Sequence, residues 1–160
     1  MDNILEKIKG YSLENSIGMY LVGGAVRDKI LGRRISDFDF AVEGDCHNIA
    51  KDIARELEGS YVNMHEDVAR VTALGYILDF ASLKGEDIYS DIKRRDFTVN
   101  SIAIRLSDES IIDVAGGEGD LKNKLITLTY ENAFDDDPIR MLRAVRLSAE
   151  LNFKIDPSTE

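Results

Sequence analysis

Apolar residues recur along this chain with two different periods, so the sequence predicts a mixture of helices and strands. Spacings of three and four residues are typical of a helix with one apolar face, and alternation or a short apolar run is typical of a strand. The predicted helices are residues 4–13 with a break near Gly10, 25–31, 47–57, 120–124 and 138–151. The predicted strands are residues 17–22, 37–42, 61–64, 69–74, 76–80, 110–114 and 125–129. This order predicts an α/β (α+β) domain with a mixed sheet flanked by helices.

The last predicted helix has the clearest start in the sequence. Asp137 is a favourable N-cap, and the fixed φ of Pro138 suits the first helical turn. The spacing of apolar residues predicts an amphipathic helix. Its apolar side is made of Ile139, Leu142, Val145 and Ala149.

Composition excludes several classes of protein. Of the 160 residues, 44% are apolar and 31% are charged, as in a globular domain. No run approaches the roughly 18 consecutive apolar residues that a membrane-spanning helix needs. The N-terminus has no basic end followed by an apolar stretch, and Cys46 is the single cysteine. We therefore expect a cytoplasmic protein with no secretory signal, no internal disulfide and no membrane partner.

Negative charge dominates the chain, since 30 Asp and Glu residues against 20 Lys and Arg residues give a net charge of −10. A surface of this sign does not coat nucleic acid, so any contact with phosphate must be local. Half of the basic residues form three groups, which predicts either a focused anion site or solvated helix faces. The groups are Arg27, Lys29, Arg33 and Arg34; Lys93, Arg94 and Arg95; and Arg140, Arg143 and Arg146.

Two short motifs are candidates for binding phosphate and metal. Gly23 and Gly24 join a predicted strand to a helix, where missing side chains let backbone amides approach an anion; a simple tight turn is the alternative. Asp37 and Asp39 lie two apart in a predicted strand, so both carboxylates project from one face. A divalent cation such as Mg²⁺ would relieve their repulsion, although an exposed sheet edge would also tolerate them.

Further polar residues extend this candidate site. Asp79 interrupts an apolar strand and is a candidate third carboxylate, with a salt bridge as the alternative. Arginines at 94 and 95 lie close to Asp96 and Asn100, and these side chains suit phosphate and ribose hydroxyl groups. The last helix carries a polar row, although an amphipathic helix with a simple cap would show the same pattern. The row is Asp137, Arg140, Arg143 and Arg146.

Four segments carry a combined pattern in one order and spacing. They are residues 21–28 (LVGGAVRD), 37–39 (DFD), 94–100 (RRDFTVN) and 137–146 (DPIRMLRAVR). Together they resemble the class II tRNA nucleotidyltransferase (CCA-adding enzyme) and bacterial poly(A) polymerase family, from about residue 20 to residue 159. The resemblance implies a nucleotidyltransferase head over residues 1–134, followed at 135–160 by the start of a helical neck that we expect to be truncated.

The resemblance also implies a role for each matching residue. Asp37 and Asp39 would hold two Mg²⁺ ions, with Mn²⁺ as an alternative, and Asp79 remains the candidate third catalytic carboxylate. Asp137 and Arg140 would read the base edge of ATP or CTP. The other residues implied to bind nucleotide are Gly23, Gly24, Arg27, Arg95, Asp96, Asn100, Arg143 and Arg146.

The implied reaction is template-independent addition of A or C to the 3′ end of tRNA or another RNA, with release of pyrophosphate. The segment between Asp79 and Arg95 is shorter than in many CCA-adding members, which favours an enzyme that adds only A or only C. Holding RNA is expected to need further C-terminal domains. The alternatives are a poly(A) polymerase, a nucleotidyltransferase that acts on a protein or small molecule, and a noncatalytic nucleotide-binding module.

Overall fold

A computed structural model describes residues 2–159, which contain nine strands and seven α-helices. The strands are β1 (Met19–Val22), β2 (Asp37–Val42), β3 (Ser60–His65), β4 (Val68–Ala73), β5 (Tyr76–Ser82), β6 (Ile102–Arg105), β7 (Ile111–Asp113), β8 (Leu125–Ile126) and β9 (Lys154–Ile155). The helices are α1 (Asp2–Glu14), α2 (Gly24–Ile30), α3 (Cys46–Glu56), α4 (Ile88–Lys93), α5 (Gly117–Asn123), α6 (Ala133–Asp136) and α7 (Ile139–Leu151).

Seven strands form one sheet in the order β3-β4-β5-β2-β1-β6-β7. Strands β2 and β5 run parallel, whereas all other neighbouring pairs in this sheet are antiparallel. The predicted mixed sheet is therefore confirmed. Strand β2 lies inside the sheet, between β5 and β1, so its side chains project from the interior of the sheet rather than from an edge.

The two faces of the sheet are covered unequally. The larger core packs beneath α1 and α3 and includes Phe40 and Phe80, whose rings stack with centroids 5.1 Å apart. The smaller core lies on the other face, where Ile88 and Ile92 of α4 pack against a few strand residues such as Ala41. Because α4 covers only part of that face, the rest of it is free to form a cleft.

Helix α1 runs without interruption through Gly10, so the predicted break there is wrong. A glycine inside a helix costs about 1 kcal/mol relative to alanine, which tertiary packing can outweigh. Ile4 and Ile8 are fully buried on the larger core, and the Ser12 hydroxyl donates to the Ile17 carbonyl at 2.7 Å. These contacts hold both halves of the helix on the sheet.

The predicted strand at 125–129 is shorter than expected and does not join the main sheet. Strand β8 contains only Leu125 and Ile126, and it pairs in parallel with β9 in a separate two-stranded sheet. The residues that follow bond instead to the segment around Asp96, where the Thr129 amide donates to the Asp96 carbonyl at 3.1 Å. Strand β8 is shorter than predicted because the residues after it bond to the segment around Asp96 instead of continuing along β9.

Helix α7 begins as the sequence predicts, but its apolar side is not buried. The Asp137 side chain accepts a hydrogen bond from the Ile139 amide at 3.1 Å, in the manner of an N-cap. Ala144 and Leu147 of this helix are buried in the larger core, and the partly buried Leu151 packs against it. The apolar row is exposed, by 59% at Ile139, 72% at Leu142 and 62% at Val145. None of the described helices is long and apolar enough to cross a membrane.

Candidate active site

All of the site residues predicted from the sequence line one or both of two adjoining cavities of about 410 and 450 Å³. The residues shared by both cavities are Gly24, Asp39, Asp96, Asn100 and Arg143. The first cavity adds Arg27, Asp37 and Arg146. The second cavity adds Gly23, Asp79, Arg95, Asp137 and Arg140. Residues from five distant segments of the chain thus meet in one cleft.

Strand β2 positions the two aspartates by simple alternation. Phe38 and Phe40 are fully buried on the larger core, which forces Asp37 and Asp39 onto the opposite face, where both are exposed. Ala41 follows on that same face and is buried beneath α4. The carboxylates therefore project into the part of the face that α4 leaves open.

The electrostatic surroundings of Asp39 disfavour its ionised form. Partial desolvation in the cleft is the main cause that raises the pKa of Asp39 above its ordinary value of 3.8, and the negative charge of Asp79 adds to it. The positive charge of Arg95 opposes the increase, and the charge of Asp37 raises the pKa further. The side chain is still exposed at the cleft surface, so water and ions can reach it.

These two carboxylates fit a divalent cation. They are oxygen donors on one face, they repel one another, and a bound cation would relieve the electrostatic cost of ionising Asp39. Within residues 2–159, no group of three or more His, Cys, Asp or Glu side chains is arranged to hold a metal ion. The aspartate pair, and not a larger cluster, is the arrangement that the fold provides.

Asp79 lies beside Asp39 in register on the parallel strand β5. Arg70 lies directly opposite Asp79 on β4 and binds it through two hydrogen bonds, Nε to Oδ1 at 2.7 Å and Nη2 to Oδ2 at 2.8 Å. The salt bridge considered as the alternative for this residue is therefore present. A catalytic role for Asp79 stays a prediction, and the carboxylate it would use is bound by Arg70.

Gly23 makes the turn between β1 and α2 in a conformation that favours glycine, with φ +68°. A Cβ atom there would lie 3.4 Å from Oδ2 of Asp39 and 3.5 Å from Nη1 of Arg95, which are ordinary contact distances. Glycine is therefore favoured at position 23 by the positive φ, and not by a steric clash that a Cβ atom would cause. The tight turn also brings the Gly23 backbone against the aspartate and the arginine of the cleft.

Arg27 forms part of the cleft wall and is already extensively hydrogen-bonded. It is buried, and its Nε and Nη2 donate to the two Asp28 carboxylate oxygens at 2.9 and 3.1 Å. Its Nη1 donates to Oδ1 of Asn100 at 2.9 Å. Two residues from distant motifs, Arg27 and Asn100, therefore support one another in the first cavity.

Helix α7 contributes its arginine row to the same cleft. Arg143 Nη2 lies 2.7 Å from Oδ2 of the buried Asp96, as an ion pair without the alignment of a hydrogen bond. The other oxygen of Asp96 accepts from the Phe97 amide at 2.8 Å. Arg140 reaches the second cavity beside Asp137, and Arg146 lines the first.

Sequence reasoning missed several residues that hold the site residues in place. Asp91 binds Arg95 at 2.9 Å, and their spacing of four residues was a detectable helical signal. Arg70 could not be found, because its contact with Asp79 depends on the register of β4 and β5. Tyr130 gave no sequence signal, and its contact with Arg140 depends on how the chain enters α7.

Comparison with known proteins shows which family this architecture represents. Residues 19–90 and 80–127 match the model of the poly A polymerase head domain. The chain belongs to that family. This head domain is 39% identical over 162 residues to the A-adding tRNA nucleotidyltransferase of Aquifex aeolicus (strain VF5), covering 88% of the chain and 19% of the relative. It is 40% identical over 143 residues to the CC-adding tRNA nucleotidyltransferase of Synechocystis sp. (strain ATCC 27184 / PCC 6803 / Kazusa), covering 87% of the chain and 34% of the relative.

Solved structures share the fold of this head domain. A CCA-adding enzyme in complex with CTP has a TM-score of 0.91 and 34% identity, covering 98% of this chain and 40% of that one. A tRNA nucleotidyltransferase complexed with a primer tRNA and an incoming ATP analogue has a TM-score of 0.87 and 36% identity, covering 95% and 47%. This chain thus spans less than half the length of these proteins and between about a fifth and about a third of the two relatives above.

Proposed function

We propose that this chain is the catalytic part of an RNA 3′-terminal nucleotidyltransferase, which adds A, C or both to tRNA or another RNA without a template. One observation carries the proposal: Asp39 lines the second cavity together with Asp137 and Arg140, and Asp37 lines the adjoining first cavity. A metal-binding group and a base-reading group thus lie in one cleft. The A-adding and CC-adding activities named for its relatives support this assignment.

Asp137 and Arg140 have the chemistry to select ATP and CTP. A carboxylate accepts from an exocyclic amine, and a guanidinium donates to ring acceptors, so the pair matches the edge that adenine and cytosine share. Uracil and guanine carry a carbonyl where the other two bases carry the amine. We infer that Arg143 and Arg146 bind the triphosphate, whose negative charge their guanidinium groups would neutralise.

In the proposed reaction, the 3′-hydroxyl oxygen of the RNA forms a bond with the α-phosphorus. The bond between that phosphorus and the bridging oxygen of the pyrophosphate breaks, and the hydroxyl loses its proton. Asp37 and Asp39 would hold two Mg²⁺ ions, or Mn²⁺ in their place, and bound metal supplies charge neutralisation and a more acidic 3′-hydroxyl. Burial raises the pKa of Asp39, and the positive charge of Arg95 opposes that increase and so favours the ionised carboxylate that would bind a cation.

We also propose that residues 135–160 begin a helical neck and that further domains hold the RNA. The exposed row of Ile139, Leu142 and Val145 is an apolar surface that additional helices would cover. Such a protein would act in the cytoplasm, in agreement with its single cysteine, which is free and buried.

Calorimetric titration with ATP, CTP, GTP and UTP in Mg²⁺ tests the proposal. We expect the head domain to prefer ATP and CTP, and we expect Asp137→Ala to lose that preference while retaining triphosphate binding. Asp135→Ala is the matched control, because Asp135 is exposed and lines neither cavity. Equal binding of all four nucleotides by the unaltered protein would contradict base reading and favour a nucleotidyltransferase that does not act on RNA.

A poly(A) polymerase is the second candidate, because the matching family model describes a poly A polymerase head domain. Both candidates use the same cleft and differ in the length of the product. Incubation of the full-length protein with an RNA primer and ATP separates them. Addition of one residue indicates an A-adding enzyme, whereas a long adenosine tail indicates the polymerase.

A further inference from the structure

The guanidinium of Arg140 is held by three protein acceptors from two different parts of the chain. Its Nη1 donates to the Tyr130 hydroxyl at 2.7 Å and to the Ala133 carbonyl at 3.3 Å, and its Nη2 donates to the Arg94 carbonyl at 3.4 Å. A guanidinium has five N–H groups, so two of them have no acceptor within residues 2–159. These two remain available to a ligand in the second cavity, which Arg140 lines.

The shortest of these contacts has only one possible direction. Arginine has no acceptor, so the Tyr130 hydroxyl must accept from Arg140. The hydroxyl proton is then free to be donated, and it points to Oδ2 of Asp136, 2.7 Å away. Asp136, Tyr130 and Arg140 thus form an ordered chain of hydrogen bonds in which each bond strengthens the next.

The ring of Tyr130 adds a second constraint. The guanidinium carbon of Arg140 lies 5.6 Å from the centre of the ring, within the range of a cation–π contact. The ring therefore limits the position of the guanidinium, whereas the hydroxyl selects its rotation. Arg140 belongs to the first turn of α7, since its amide donates to the Asp137 carbonyl at 3.0 Å.

We propose that Tyr130, oriented by Asp136, is a positioning residue that sets the nucleobase preference by fixing the rotation of the Arg140 guanidinium. This inference rests on the proposed function, because it assigns a task to Arg140 in reading the base. A guanidinium held in one rotation presents its two remaining N–H groups in one direction and so discriminates between acceptor patterns. A guanidinium that rotates freely can donate to the acceptors of uracil and guanine as well as to those of adenine and cytosine. It therefore discriminates less between the bases.

The test compares the affinities of ATP, CTP, GTP and UTP, by calorimetry in Mg²⁺, for unaltered protein, Tyr130→Phe, Arg140→Ala and the double variant. Tyr130→Phe keeps the ring and removes only the hydroxyl. Because hydrogen bonds to charged groups are strong, we expect the preference for ATP over UTP to fall by about tenfold in this variant. Tyr89→Phe is the matched control, since Tyr89 is exposed and lines neither cavity.

Two results separate positioning from a general structural role. We expect Tyr130→Phe to lower the ratio of ATP affinity to UTP affinity without an equal loss for all four nucleotides, and to have no further effect in the Arg140→Ala background. Asp136→Ala, which removes an exposed side chain, should produce a smaller loss of preference in the same direction. An unchanged ratio in Tyr130→Phe, or an equal loss for all four nucleotides, would overturn the inference. A lack of preference in the unaltered protein would instead overturn the proposed function.

Discussion

The two walls of the cleft differ in how the fold holds them. Asp37 and Asp39 project from an interior strand whose alternate residues, Phe38 and Phe40, are almost completely buried. The opposite wall is helix α7, which buries Ala144 and Leu147 but leaves its apolar row exposed. One wall is therefore part of a packed core, and the other is held beside it by a small contact.

Polar contacts make up for the small packed area of α7. Arg140 donates to the Arg94 carbonyl, Arg143 binds Asp96, and the chain after the helix returns to pair β9 with β8. The carboxylates proposed to hold metal thus lie on an interior strand of the sheet, and the residues proposed to read the base lie on a helix that polar bonds orient. Changes in the sheet wall should abolish the reaction, whereas changes in the helix wall should alter selectivity or stability.

The largest effect is expected for Asp39→Asn. We expect transfer of AMP or CMP to an RNA primer to fall by about 10³-fold or more, since several kcal/mol of metal-dependent charge stabilisation are lost. The fold should persist, because Asp39 is exposed. Glu118→Gln, an exposed acid on α5 that lines neither cavity, should retain activity. Unchanged turnover in Asp39→Asn would disprove the metal assignment.

A pair of leucines on α7 tests how that wall is held. Leu147 is 6% exposed and Leu142 is 72% exposed. Leu147→Ala should lower the free energy of unfolding by about 3 kcal/mol, as expected for a buried leucine. Leu142→Ala should change it by less than about 0.5 kcal/mol. Urea unfolding of both variants measures the difference, and equal losses would show that the apolar row is packed in solution.

A smaller loss of stability is expected when Arg143 is removed. Arg143→Met should lower the free energy of unfolding by about 1 to 2 kcal/mol, because it leaves the buried Asp96 carboxylate without its cation, while exposure of Arg143 limits the effect. Asp96→Asn should be less harmful in the Arg143→Met background than alone. Additive effects of the two substitutions in urea unfolding would show that the ion pair contributes no coupling energy.

The smallest effect concerns the pH dependence of stability without metal. The pKa of Asp39 is raised in the folded state. As the pH rises, the folded protein therefore keeps the Asp39 carboxyl proton at pH values where the unfolded chain has already lost it. The contribution of Asp39 to stability therefore falls as the pH rises from its ordinary pKa of 3.8 through the raised value. In EDTA, unfolding curves of Asp39→Asn should lose less stability over this window than those of the unaltered protein. An equal or steeper loss would contradict the direction of the shift.

The strand β2 shows what a local pattern can predict. Alternation places Asp37 and Asp39 on one face, and the structure confirms both the strand and its polar face. Helix α1 shows where local patterns mislead, because Gly10 weakens the helix locally while burial of Ile4 and Ile8 stabilises it from a distance. The helix propensity of a segment can be estimated from its own residues. The burial of its side chains depends on which other elements pack against it.

In helix α7 the local pattern predicts the helix but not which of its faces is buried. Its start and its arginine row follow from spacing. The row of Ile139, Leu142 and Val145 is nevertheless exposed, because the helix meets the core through another face, which carries Ala144, Leu147 and Leu151. Helical periodicity reveals which residues share a face, not which face is buried within the described chain. The residues of the polar row, by contrast, line the two cavities of the cleft.

The sequence by itself determined the mixed α/β class, the aspartate pair on one face and the family resemblance, because each depends on residues that are close together or on motifs in a defined order. The tertiary structure alone decided that Arg70 binds Asp79, that Arg143 meets Asp96 and that Tyr130 holds Arg140. Each of these contacts joins side chains whose approach depends on strand register or on the docking of α7. Such distances are set by the packing of whole elements, which no local spacing encodes.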